Sequence, residues 1–75
     1  MTSLGVYLTK KSVNRALVSK RTGISQARLS QLSLNESTKL RADELYLIAL
    51  AIDVDPGEMF MELHQDLKLP EDRTM

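Results

Sequence analysis

Apolar positions recur at helical spacing along this chain in five segments, each bounded by residues that start or stop a helix. Leu4, Tyr7 and Leu8 share a face over Ser3 to Lys11, a helix that Gly5 weakens. A second helix is expected from Arg15 to Thr22, capped by Asn14, with Val13 as the apolar residue just before the cap. Gly23 then reverses the chain, since a steep turn between two helices usually needs one residue with positive φ. Ser25 caps a third helix, Gln26 to Leu34, and Asn35 offers a left-handed C-cap. The fourth helix, Ala42 to Ile52, carries LYLIALAI, apolar on more than one face, and is expected to be the central buried helix. Asp43 and Glu44 favour the positive end of its dipole, but neither Leu40 nor Arg41 is a good cap. After the turn Asp53 to Pro56, with Asp55 as cap and Pro56 in the first helical position, a fifth helix to Asp66 points Met59, Phe60 and Leu63 inward. No alternating Val/Ile/Thr-rich segment predicts a strand. The reading is all-α: one domain over residues 1–66, then a flexible C-terminal tail, 67–75.

The second and third helices form a helix-turn-helix. Val18, Ile24, Leu29 and Leu32 line their inner sides, and Ser19 is the small residue expected where the two axes come closest. The outer face of the third helix carries Gln26, Ala27, Arg28, Ser30 and Gln31, polar, short-armed and without acid. The loop that follows, Asn35 to Leu40, adds hydroxyl, amide and ammonium groups.

Charge sharpens this picture. The net charge is zero, yet residues 1–41 hold eight basic side chains against Glu36 alone, a net +7. Residues 42–75 hold Lys68 and Arg73 against nine acidic side chains, a net −7. Such asymmetry marks a polyanion-binding face on one side. Gln can pair with adenine and Arg with guanine in the major groove, each good bidentate contact giving about 1–3 kcal/mol of discrimination. Gln26 and Gln31 are the favoured base readers, Arg28 stands between base and phosphate, and Ala27 suits a thymine methyl. Lys10, Lys11, Arg15, Lys20, Lys39 and Arg41 are candidates for phosphate contact.

Other chemistry is thinly represented. Seventy-five residues leave little room for a catalytic site beside a core. The chain has no Cys, and the lone His64 has Glu62 and Asp66 at i ± 2, off its own helix face, so no metal site is expected. Met59 and Met61 read as core and rim, and Asp43 and Glu44 diverge around their helix. No nucleophile or phosphate loop is present, so no enzyme and no cofactor are indicated. The longest apolar run, Leu45 to Ile52, is far short of the ~20 residues a bilayer requires. MTSLGVYLTKK lacks the basic and long apolar regions of a signal peptide, which points to a cytoplasmic, nucleoid-associated protein.

The segments NRALVSKRTGIS, SQARLSQL and LRADELYLIALAIDVDPGEMF, in that order over residues 4–63, resemble the Cro and phage-repressor family of helix-turn-helix regulators, the XRE-like proteins. The resemblance implies a compact five-helix bundle of the lambda-repressor-like kind, with its third helix in the major groove of double-stranded DNA. It implies base contacts at Ser25, Gln26, Ala27, Arg28 and Gln31, and phosphate contacts at Asn14, Arg15, Asn35, Ser37, Thr38 and Lys39. Three positions depart from the family pattern: Ser33 where an acid is common, Asn35 where Gly is common, and Leu40 where Pro is common. The family usually binds two-fold sites as dimers, and Leu47, Leu50, Met61 and Leu67 are the apolar residues expected to serve a homodimer. Within this class a repressor, an antitoxin, a restriction-modification control protein and a mobile-element regulator are alternatives. From another class, the acidic C-terminal half could engage a basic protein partner.

Overall fold

The computed structural model describes residues 1–70 and has five helices: α1 Ser3–Lys10, α2 Arg15–Thr22, α3 Gln26–Leu34, α4 Ala42–Ala51 and α5 Pro56–Leu63. No strand occurs among the described residues. Residues 71–75 of the expected tail lie outside them. Helix α3 is gripped between α1 and α2, α4 lies against α2 and α5, and α5 returns to α1. The core is Leu4, Tyr7, Leu8, Val18, Leu29, Leu32, Leu45, Ile48, Ala49 and Met59, with Val13, Ile24, Leu40, Val54 and Leu63 around its edge.

Local chemistry stops each helix where it does. Asn14, Ser25 and Asp55 each accept a hydrogen bond from the backbone N–H three residues on, at 2.9–3.1 Å. Gly23 ends α2 at φ 80°, and a Cβ there would meet nothing within 4 Å, so conformation and not space demands glycine. Helices α1 and α4 end in the same way on residues that are not glycine: Ser12 (φ 56°) and Asp53 (φ 59°). In each, the following N–H, Val13 or Val54, reaches back to the carbonyl of Leu8 or Ala49, the long bond of a Schellman motif.

Several expectations change. Helix α4 buries only one face, Glu44, Leu45, Ile48 and Ala49, while Tyr46, Leu47 and Leu50 remain exposed. Its N-terminus is capped by its own third residue: a Glu44 carboxylate oxygen accepts from the Arg41 N–H at 3.0 Å. Arg41 cannot reciprocate, because a guanidinium has no acceptor. Helix α5 ends at Leu63, three residues short of Asp66; the His64 N–H closes its last turn on the Phe60 carbonyl at 3.2 Å, and the His64 ring Nδ1 lies 2.8 Å from the same oxygen. Phe60 is exposed, about 100° around the helix from buried Met59, with its ring 4.4 Å from that of His64. Asn35 is extended (φ −100°) and not left-handed; its side chain instead accepts from the N–H and hydroxyl of Ser37.

Helices α1 and α3 come close together at Gly5. A Cβ on Gly5 would overlap the Ser33 carbonyl oxygen and the Met1 side chain. Beside it the buried Thr2 hydroxyl accepts from the Gly5 N–H and points at the carbonyls of Leu32 and Ser33, while the Thr2 N–H donates to Ser33. Ser33 is fully buried in this seam, which is why a small residue and not an acid occupies that position. Helix propensity alone would make Gly5→Ala stabilising by up to about 1 kcal/mol. The clash with backbone reverses the sign: Gly5→Ala is expected to cost about 1–3 kcal/mol in denaturant unfolding. In the same assay Gly23→Ala should cost about 1–2 kcal/mol through its positive φ alone.

Candidate nucleic-acid interface

Around α3, the positions Leu29, Leu32 and Ser33 point into the protein. The opposite arc is exposed and holds Gln26 and Ser30 in one row, Ala27 and Gln31 in the next. Among the described residues, no hydrogen bond engages the side-chain amide of Gln26 or Gln31. Leu34, which the sequence reasoning left off this face, lies on the same arc at its far end and is 60 % exposed. Ser25 sits at the start, its hydroxyl oxygen taken up by the Arg28 N–H. The turn leading into this helix is held by Thr22, whose hydroxyl donates to the Val18 carbonyl at 2.7 Å and accepts from the Ile24 N–H at 3.1 Å.

Arg28 lies on the edge of the arc, about 200° around from Gln26, and turns away from it. Its guanidinium makes a two-pronged contact with Glu44 on α4, Nε to Oε2 at 2.9 Å and Nη2 to Oε1 at 3.0 Å. Nη2 also donates to the Lys39 carbonyl at 3.2 Å. Arg28 and the buried Glu44 carboxylate together therefore join the first turn of α3, the end of the following loop and the cap of α4. The Arg28 hydrogen bonds and the Arg41 N–H hold the Glu44 carboxyl below the ordinary carboxylate range, against the opposing effect of burial. Nothing in the residue order marks this partnership across sixteen positions. The only hint is a Glu at the third position of a helix that lacks an ordinary cap.

The other expected contact residues occupy the ends of α2 and the loop after α3. Asn14 uses its carbonyl oxygen to cap α2 and keeps its amide NH2 for other partners. Asn35 and Ser37 bond to each other, and the Thr38 N–H closes the turn onto the Asn35 carbonyl. The basic half is less bare than its formal charge. Lys10 pairs with Glu62 at 2.7 Å, Arg41 with Asp43 at 3.1 Å, and Arg21 caps the Ala51 carbonyl of α4 at 2.7 Å. Lys11 lies over the Tyr7 ring. Among the described residues, the side chains of Arg15, Lys20 and Lys39 meet no acceptor.

Helix α3, glutamine-bearing and held by its inner face behind a glycine-centred turn, is the second helix of a helix-turn-helix. A family model described as Cro/C1-type HTH DNA-binding domain matches residues 3–65. The chain belongs to the Cro/C1-type helix-turn-helix DNA-binding family. No match was found among curated proteins or among solved structures. This Cro/C1-type domain is a DNA-binding module whose partner is double-stranded DNA, and none of its described helices is long and apolar enough to cross a membrane.

The depressed Glu44 titration links stability to pH. Its folded pKa lies below the unfolded value, so its contribution is complete above the unfolded pKa and is lost as pH falls through the folded one. Thermal melts of wild type should therefore drop below about pH 4.5. Glu44→Gln should be less stable at pH 7, by about 1–2 kcal/mol through the weakened cap, and should show a flatter acid limb. Equal acid limbs in the two proteins would remove this role from Glu44.

Proposed function

We propose that this Cro/C1-type domain is a transcriptional regulator, a repressor, that reads a specific duplex sequence by inserting α3 into the major groove. The observation that carries the reading is the exposed, uncommitted pair Gln26 and Gln31 on a helix whose opposite side is locked into the core. Gln26 and Gln31 contact base edges, with adenine as the natural bidentate partner. Ala27, and Leu34 at the far end, offer apolar contact to thymine methyl groups, and Ser25 faces the groove from the helix start. Arg15, Lys20 and Lys39, with the amide of Asn14 and the polar groups of Asn35, Ser37 and Thr38, set the register on phosphates. The acidic residues of α5 then keep the far side of the domain off DNA. Such a regulator works in the cytoplasm, at the nucleoid.

We further infer that it binds as a homodimer on a two-fold site. Support comes from apolar side chains that stay exposed among the described residues: Tyr46, Leu47 and Leu50 on α4, Phe60 and Met61 on α5. Leu67, grouped with these on sequence grounds, instead flanks a separate groove with Leu4, Leu32, Leu40 and His64, so it is left out of the interface.

Selection from a randomised duplex library should enrich a two-fold motif. Gln26→Ala with Gln31→Ala should weaken binding to it by about 2–6 kcal/mol, while leaving scrambled-duplex binding nearly unchanged. Removing Lys20 should instead weaken both and reduce the salt slope by about 0.9. Reversing Glu58 and Asp66, which pair with no cation among the described residues, should leave specific binding intact. A library that enriches nothing would overturn the reading, and sedimentation of a monomer on the selected duplex would overturn the dimer.

A further inference from the structure

We propose that Arg28 is a positioning residue and not a reader of DNA: through Glu44 it fixes the angle and spacing between the reading helix α3 and the phosphate-contacting loop at Lys39. This rests on the function proposed above. Residue type and location would both assign Arg28 to DNA, since it stands in the first turn of α3 three residues after the cap. The geometry assigns it elsewhere. Two of its three nitrogens are committed to both oxygens of one carboxylate, and the same Nη2 bridges to the Lys39 backbone. Glu44 is itself buried and held by the Arg41 N–H, so it cannot follow the guanidinium outward without uncapping α4. Extracting Arg28 to meet a phosphate would strand that carboxylate without its principal partner, and a buried unpaired charge is costly.

The consequence is a division of labour within α3. Gln26 and Gln31 carry recognition, while Arg28 holds the helix at a set distance from Lys39, so that base and phosphate contacts form in one register. A slack joint would let each set of contacts form at the expense of the other. The result is lost discrimination with little loss of nonspecific attraction.

The experiment compares wild type, Arg28→Met, Arg28→Lys, Glu44→Gln and the Arg28→Met/Glu44→Gln double variant, all below their unfolding midpoints. Each is measured for affinity to the selected and a scrambled duplex over a salt series, and each is carried through a repeat of the library selection. Arg28→Met and Glu44→Gln are each expected to lose about tenfold on the selected duplex, comparable to one lost base contact, and little on the scrambled one. Their salt slopes should match wild type, the double variant should be no worse than the singles, and enriched motifs should blur at every read position. Arg28→Lys, which keeps the charge but not the fork, should behave as Arg28→Met does. A salt slope reduced by about 0.9 in Arg28→Met, or tighter binding by Glu44→Gln through a released guanidinium, would overturn the proposal. So would degeneracy at a single base pair in Arg28→Met with an unaltered motif in Glu44→Gln. Amide hydrogen exchange on the free proteins separates this from the reading it rests on. If wild type enriches no sequence, faster exchange at Ser37, Thr38 and Arg41 in both single variants still supports the joint, and unchanged exchange overturns it.

Discussion

A helix of nine residues does not hold its shape alone in water, because nucleation costs more than so few turns return. Every feature around α3 answers that constraint. Ser25 satisfies a donor at its start and Leu29 and Leu32 wedge its inner face into the core. Thr2 reaches across from the beginning of the chain to the carbonyls at its end. The Arg28–Glu44 contact pins its first turn to α4. Supported on three sides, the helix can leave its fourth side to polar residues that contribute nothing to the fold. That arrangement leaves Gln26 and Gln31 exposed.

The same economy governs charge. Eight cations in the first 41 residues read as one electropositive block, yet folding distributes them among different tasks. Arg28 braces two helices, Arg21 caps α4, and Lys10 and Arg41 pair with acids contributed by or near the C-terminal half. The exposed pairs contribute little to stability and would yield to a phosphate, whereas the Arg28 pair is anchored on a buried partner. Among the described residues, the side chains of Arg15, Lys20 and Lys39 enter none of these contacts.

Much of this was legible in the residue order. Caps at Asn14, Ser25 and Asp55 and the pivot at Gly23 act through bonds three or four residues long, so a local reading suffices. The inner faces of α1, α2 and α3 were equally plain from helical spacing. Misreadings fell where local signals were ambiguous or misleading. Asn35, which looked left-handed, is extended, and its side chain accepts from Ser37 instead. The LYLIALAI run, apolar on more than one face, suggested a central buried helix, but α4 buries only one face.

Helix number, helix order and the exposed polar face of α3 follow from periodicity and capping, which depend on neighbours in sequence. Which glycine sits in a tight seam, which arginine pairs across helices and which apolar side chains stay exposed among the described residues depend on neighbours in space. Gly5 looks like a weak helix former until Ser33 is placed against it, and Arg28 stands between base and phosphate in the sequence until Glu44, sixteen residues away, is seen to hold its guanidinium. Pairings over such distances leave no periodic trace, because a single contact between two helices imposes no pattern on the residues between them.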